Sequence, residues 1–422
     1  MNVIDDRERG SAEQAQGVGM KEGWQTQTLG EVCEFSNGLW KGQNPPFITV
    51  GVIRNTNFTK EGALDDSDIA YIDVEAKKLG KRRLQFGDII LEKSGGGPKQ
   101  PVGRVVLFDK RDGDFSFSNF TAALRVRDPE AIDFRYLHTF LHWTYLSGVT
   151  EGIQSHSTGI RNLNGDAYKA IKFSFPPLPE QQRIVALLDE AFAGLATAKA
   201  NAERNLQNAR AIFESHLQSV FSQRGEKWEE RTLEEVATTF GRGKSKHRPR
   251  NAPHLYGGKY PFIQTGDIRN ADHVIAEYSQ TYSDSGLAQS LLWPKGTICI
   301  TIAANIAETA ILGFDACFPD SVIGIVANPR EAEVGYIEYL LQSYKARIQA
   351  LGKGSAQANI NMGTFEHERF PFPPVNEQKQ IVGMLDNLAA ETHHLTHIYE
   401  RKLAALEELK KSLLHQAFNG EL

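Results

Sequence analysis

The stretch "PPLPEQQRIVALLD", residues 176–189, returns as "PPVNEQKQIVGMLD", residues 373–386, at an offset of 197. The match extends upstream at that offset, from Asn162-Leu163-Asn164 to Asn359-Ile360-Asn361. Further out, Trp24 with "TLGEV" (Thr28 to Val32) recurs as Trp228 with "TLEEV" (Thr232 to Val236), at an offset of 204. Between these anchors "PFITVGVIRN" from Pro46 reads against "PFIQTGDIRN" from Pro261, and "FGDII" from Phe86 against "KGTIC" from Lys295. The offsets drift between 197 and 215, so the chain is a tandem duplication of a unit of about 200 residues whose copies differ by loop insertions and deletions.

Each copy has two parts. The first mixes short β-branched runs ("PFITVGVI", "DIILE", "RVVLF"; later "TICITIA", "VIGIVA") with Gly, Pro and Asn punctuation and one helical segment ("FRYLHTFLHWTYL", "YIEYLLQSYKARI"), which predicts a compact α+β domain. The second part follows a Pro-rich stop and steps by four and three. The steps run through Leu188, Phe192, Leu195, Leu206 and Phe213, and again through Leu385, Leu388, Leu395, Leu406 and Leu413. Such a repeat over about five heptads predicts a coiled-coil helix. A helix of about 40 residues is roughly 60 Å long and needs a partner of similar length. The one at hand is the other helix, and chain order favours an antiparallel pair. The expected organisation is a leader, 1–22, without order; a first domain, 23–178; a central helix, 179–223; a second domain, 224–375; and a C-terminal helix, 376–422. The fold class is α+β, with two similar α/β domains in tandem separated by two long helices in pseudo-two-fold symmetry.

Composition sets limits on function. The 422 residues are 41% hydrophobic and 23% charged with net charge −5, so contact with nucleic acid has to come from local basic patches rather than bulk charge. Cys33, Cys299 and Cys317 lack CxxC spacing, which fits reduced thiols better than a disulfide frame or a zinc site. No apolar run reaches the roughly 18 residues needed to span a bilayer, and the charged start lacks an apolar signal core, so the reading is a cytoplasmic protein without a membrane partner.

Duplicated domains, with "PPLPEQQRIVALLD" and "PPVNEQKQIVGMLD" opening long helices, resemble the specificity subunit of type I restriction-modification enzymes. Further family-like pieces are "YPFIQTGDI" from Tyr260, "FGDIILEKSGG" from Phe86, "STGIRNLN" from Ser157 and the ending "AFNGEL" from Ala417. The resemblance implies two target-recognition domains that each read half of a split double-stranded DNA sequence. It also implies helices that space them and dock two copies of a methyltransferase subunit, and a restriction-translocase subunit that completes the nuclease. It implies no catalysis and no cofactor in this chain. Because the domains differ in sequence, the target should be asymmetric.

Two enzymatic readings compete. Asn44-Pro45-Pro46-Phe47 spells the tetrapeptide with which adenine methyltransferases hold a flipped base, but only about twenty structured residues precede it, too few for a methyl-donor site. The letter match pairs Pro46-Phe47 with Pro261-Phe262 as the start of a core strand and leaves Asn44 without a counterpart. Asp88 with Glu92-Lys93 suggests a nuclease core, yet Thr297 and Thr301 stand in the second copy, and no phosphate-binding Gly-x4-Gly-Lys loop is present. A third reading, from another class, is a coiled-coil adaptor that binds only proteins.

Candidate DNA contacts lie on loops. "GRGKSKHRPRNAPHLYGGKY", 241–260, carries Arg242, Lys244, Lys246, Arg248, Arg250 and Lys259 and no acid, suited to phosphate or guanine. In the first domain "KKLGKRR" supplies Lys77, Lys78, Lys81, Arg82 and Arg83, and "EKSGGGPKQPVGR" supplies Lys93, Lys99 and Arg104 on a Gly-rich loop. Before each long helix, "QSHSTGIRN" offers Ser157, Thr158 and Arg161, and "GKGSAQANIN" offers Lys353, Ser355 and Gln357. These side chains suit adenine or phosphate, and equally suit turns and caps. His156 alone reads as a surface histidine.

Overall fold

The computed structural model describes residues 22–422 apart from 40, 98–99, 158–159, 224, 248, 304 and 353–359, and describes 81, 156, 157 and 352 by backbone only. Residues 1–21 of the leader, Lys99, Thr158, Arg248, Lys353, Ser355 and Gln357 lie outside the described residues, as do the side chains of Lys81, His156 and Ser157. The chain divides into two compact units, one ending at Asn201 and completed by Lys402–Leu422, the other Ala202–Arg401.

The first unit contains β1 (Gln25–Thr28), β2 (Cys33–Asn37), β3 (Phe47–Ile53), β4 (Ala70–Glu75), β5 (Ile89–Glu92), β6 (Ser94–Gly96), β7 (Val105–Leu107), β8 (Phe115–Phe117), β9 (Thr121–Val126), α1 (Phe134–Leu146), β10 (Gln154–Ser157), β11 (Ile160–Leu163) and β12 (Lys172–Phe175), then the start of α2 (Leu178–Ser222). Its central sheet has the order β2-β9-β5-β7, beside smaller sheets β4-β3-β8 and β10-β11-β6. Alternation along β5 explains the run "IIL". Ile89 and Leu91 face α1 through Tyr136, Leu137, Phe140 and Leu141, while Ile90 faces Phe108, Phe115 and Phe117. A sheet buried on both faces reads as a continuous apolar run. β1 pairs with β12, which brings the ends of the domain together just before α2.

The second unit repeats this plan with β13 (Glu229–Arg231), β14 (Ala237–Arg242), β15 (Tyr256–Phe262), β16 (Val274–Ile275), β17 (Gln280–Tyr282), β18 (Leu292–Trp293), β19 (Ile298–Thr301), β20 (Thr309–Leu312), β21 (Ala316–Cys317), β22 (Val322–Ala327), α3 (Val334–Ser343), α4 (Lys345–Gly352), β23 (Phe370–Phe372) and the start of α5 (Val375–Asn419). β13 pairs with β23 as β1 does with β12. Register confirms the duplication residue by residue: Ile89 opposes Leu124 and Glu92 opposes Thr121, while Ile298 opposes Ile325 and Thr301 opposes Val322.

The same register corrects one letter match. Val52 stands beside Ser116, and Phe262 beside Cys317, so Val52 rather than Phe47 is the counterpart of Phe262. The local caps agree: the Arg54 N–H donates to Asn57 Oδ1 at 3.0 Å, and the Gln264 N–H to Asp267 Oδ2 at 2.8 Å. The strings "PFI" therefore align by coincidence, five residues out of phase. Phe47 opens β3 but is 45% exposed, whereas Phe262 closes β15, buried and stacked on Tyr282 at 4.0 Å.

The repeated motifs turn out to be anchors. Gln181 is fully buried; its Nε2 donates to Ala131 O and Pro176 O, and its Oε1 accepts from the Asp133 N–H. Gln378 does the same with Glu331 O, Pro373 O and the Glu333 N–H. Each glutamine ties the first turn of a long helix to the cap of α1 or α3, since Asp133 and Glu333 are those caps. In the "TLxEV" motifs, Glu31 and Glu235 accept from the N–H groups of Thr28 and Thr232.

Within each unit the two long helices run antiparallel. In the first, Ile184, Val185 and Leu188 share a core with Leu414, Ala417 and Phe418, and Lys199 pairs with Glu407 at 2.7 Å. In the second, Leu217 and Phe221 share a core with Leu385, and Arg210 pairs with Glu400 at 3.0 Å. Phe192, Leu195, Leu206 and Phe213 are partly buried along α2, as are Leu388, Leu406 and Leu413 along α5. Leu395 departs from the expected stripe and is 38% exposed. Inward positions run Leu388, Thr392, Thr396, Tyr399 and Leu403; two successive steps of four rotate the stripe by one residue, a stutter. The chain ends against the first domain, with the Phe418 ring 5.4 Å from those of Tyr136, Phe140 and Trp143.

Candidate nucleic-acid interface

In the first domain the structure joins two loops that the sequence lists separately. The Gly-rich strand β6 pairs with β11, and β11 with β10, so Lys93, just before β6 and accepting from the Leu163 N–H, is brought beside the sheet that carries Arg161. Lys93 Nζ donates to Asn37 Oδ1 at 2.9 Å, and partial burial lowers its pKa from the ordinary lysine value. Ser94 Oγ donates to Asn162 Oδ1 at 2.5 Å. Asn37 and Asn162 thus join the candidate surface; Asn37 carries no signal in the sequence, because only the pairing of β2 with β9 brings its strand end there.

Arg104 has another role. Its Nε and Nη2 donate to the carboxylate of buried Glu92 at 2.7 and 3.0 Å, and its remaining donors reach Phe58 O and Asn55 O. A guanidinium used in this way is a structural pair, committed to the buried carboxylate rather than presented to DNA. Asp88 is likewise committed, taking both Nε and Nη2 of Arg125 at the floor of a cleft of about 200 Å³. The two acids of the nuclease reading are therefore salt-bridge partners.

The "KKLGKRR" segment lies between β4 and β5 in the chain. Lys77 and Lys78 are exposed, Arg82 is half-buried with Nη1 on Lys78 O, and Arg83 pairs with Asp114. In the second domain Lys244, Lys246 and Lys259 are exposed, with Lys259 over the Tyr260 ring. Arg242 and Arg250 converge on Asp320, the first on its carbonyl and the second on its carboxylate.

Asn44 to Phe47 lie exposed, with the Asn44 N–H near Glu75 Oε2. Burial pushes the Cys33 thiol up to about 12 and raises Cys299 and Cys317 as well, so all three stay protonated. Among the described residues no group of three or more His, Cys, Asp or Glu side chains could hold a metal ion. No described helix is long and apolar enough to cross a membrane.

The description "Type I restriction modification DNA specificity domain" fits residues 21–204 and fits again at 225–406. The chain belongs to this type I specificity family. Like its relatives it is a specificity chain, not a catalytic one. It is 22% identical to a putative type I restriction enzyme MjaX specificity subunit from Methanocaldococcus jannaschii, over 95% of this chain and 94% of that one. It is 25% identical to the type I restriction enzyme EcoKI specificity subunit of Escherichia coli, over 96% and 90%. The specificity fold also agrees with solved structures. The HsdS subunit from Thermoanaerobacter tengcongensis superposes with a TM-score of 0.66 at 18% identity, covering 96% of this chain and 98% of that one. A chain from a structure of type I R-M complex assembly superposes with a TM-score of 0.77 at 18% identity, covering 96% and 100%.

Proposed function

We propose that this chain selects the DNA target of a type I restriction-modification complex. Domains 23–178 and 224–375 each read one half of a bipartite, asymmetric double-stranded sequence. The helices 179–223 and 376–422 set the spacing and dock two methyltransferase subunits, and a restriction-translocase subunit completes the assembly in the cytoplasm. The observation that carries this reading is a repeat with constant frame and divergent loops. Strand register and the anchoring glutamines are the same in both copies, while the exposed polar chemistry differs. Two readers on one scaffold require that combination.

Two docking sites are supported by a second repeat feature. Leu187 and Met384, equivalent at offset 197, are 41% and 42% exposed on the outer face of the long helices, an apolar position retained in both copies. Proposed DNA contacts are Lys77, Lys78, Lys93 and Arg161 in the first domain and Lys244, Lys246, Arg250 and Lys259 in the second. Lys81, Lys99, Ser157, Thr158, Arg248, Lys353, Ser355 and Gln357 also belong to the proposal, by their place on the same segments.

Binding of the assembled chain and methyltransferase to duplex DNA tests the reading against a protein-only adaptor. The logarithm of the affinity should fall linearly with log salt, with a slope that counts phosphate contacts. Affinity that is absent at low salt would reject the DNA role.

A further inference from the structure

We propose that Asp320 is a positioning residue for DNA reading, holding Arg250 with its guanidinium set to recognise one base edge; this rests on the function proposed above. Asp320 sits in the turn between β21 and β22, closed by the Val322 N–H on Pro319 O at 3.1 Å. The basic segment presses directly on that turn. A Cβ at Gly243 would lie 2.3 Å from Phe318 O and 2.4 Å from Pro319 O, so the turn and the start of the segment have no room to shift. Arg242, at the end of β14, donates to Asp320 O through Nε at 2.8 Å and through Nη2. Arg250 Nη2 lies 2.8 and 2.9 Å from the two carboxylate oxygens, and the Tyr256 hydroxyl donates to Arg250 O at 2.8 Å.

Stability does not account for the pair. Its side chains are 49% and 37% exposed, and exposed ion pairs contribute roughly 0–1 kcal/mol. Phosphate attraction does not account for it either, since a carboxylate among Arg242, Lys244, Lys246, Arg250 and Lys259 weakens that attraction. Orientation does. Among the described residues only Nη2 of Arg250 has a partner; the carboxylate meets it from one direction, which leaves its second N–H to pair with the neighbouring Nε–H or Nη1–H as a fork suited to the two acceptors of guanine.

The first domain supplies a comparison. Asn37 opposes Ala122 where Arg242 opposes Ile323, and the same register places Asn119 at the position of Asp320. One end of one sheet therefore carries two amides in one domain and an arginine–carboxylate set in the other, as expected where two half-sites of different sequence are read.

The test uses the full chain assembled with its methyltransferase subunit. Binding is measured against duplexes with single base changes through both half-sites, and against unrelated DNA. Asp320→Asn should lower discrimination about tenfold at one base pair of one half-site, leave the other half-site unchanged and strengthen binding to unrelated DNA. Arg250→Lys, which keeps the charge but not the fork, should lose discrimination at the same base pair. Discrimination unchanged in both variants, or lowered equally at all positions, overturns the inference alone. A wild-type complex without discrimination overturns the proposed function and the inference with it.

Discussion

Charge in the sequence does not tell which cations face outward, and Arg104 and Lys244 mark the two extremes. Arg104→Ala would leave Glu92 buried without its partner and should cost about 3–5 kcal/mol of stability, read as a lower unfolding midpoint of the chain. Lys244→Ala should leave stability unchanged within about 0.5 kcal/mol and reduce the salt slope of DNA binding by about one. A stable R104A chain with uniformly weaker DNA binding would reverse the assignment. Each residue directly follows a glycine, Gly103 or Gly243, so the difference was not legible locally; it arises from β5 placing Glu92 beside Arg104. The glutamines were legible as a repeat but not as anchors, because their partners lie in a loop about 50 residues earlier.

For the elements, periodicity worked where packing is regular. The stripe on α2 reads directly from Leu188 to Phe213, whereas the stutter on α5 exposes Leu395 because a step of four after Thr392 satisfies the same apolar count. Strand register lay further from reach, as the false match of Phe47 with Phe262 illustrates: register is fixed by β8 and β21, far along the chain.

The domain helices also differ in their response to pH. On α1, burial lowers His138 to about 4 and His142 to about 3, below the roughly 6.5 of an unfolded chain, so the unfolded state takes up protons first. The stability of the first domain should be full above about pH 6.5 and fall as pH drops toward 4. His273, against α3, behaves in the opposite sense. Burial opposes its charge, but the 2.6 Å hydrogen bond to Glu338 and the charges of Glu338, Asp386 and Asp272 outweigh burial and raise its pKa. That contribution is full below about pH 6.5 and is lost as pH rises through the folded value. Amide exchange corrected for intrinsic rates should show α1 less protected at pH 5 than at pH 7, by up to roughly tenfold per pH unit for each histidine, with α3 moving the other way. Parallel changes in both helices would contradict these assignments.

For the molecule as a whole, the duplication was legible from "PPLPEQQRIVALLD" outward, because helix starts and caps are local. Which bases are read was not legible, since recognition depends on loop geometry and DNA shape together. Spacing should follow helix length. Removing one heptad from each of α2 and α5 shortens each by about 10 Å, keeps the inward face in phase to within about 20°, and should shorten the unread gap by roughly three base pairs with both half-sites intact. A folded, active deletion with unchanged spacing would remove the helices from the role of ruler.

The most direct test of the central claim is a genome-wide map of methylated adenine in a methylation-free host expressing this chain alone, its partner methyltransferase alone, or both. Methylation of one split, asymmetric motif is expected with both and none with either alone. Methylation by this chain alone would restore catalysis to Asn44-Pro45-Pro46-Phe47 and contradict the account.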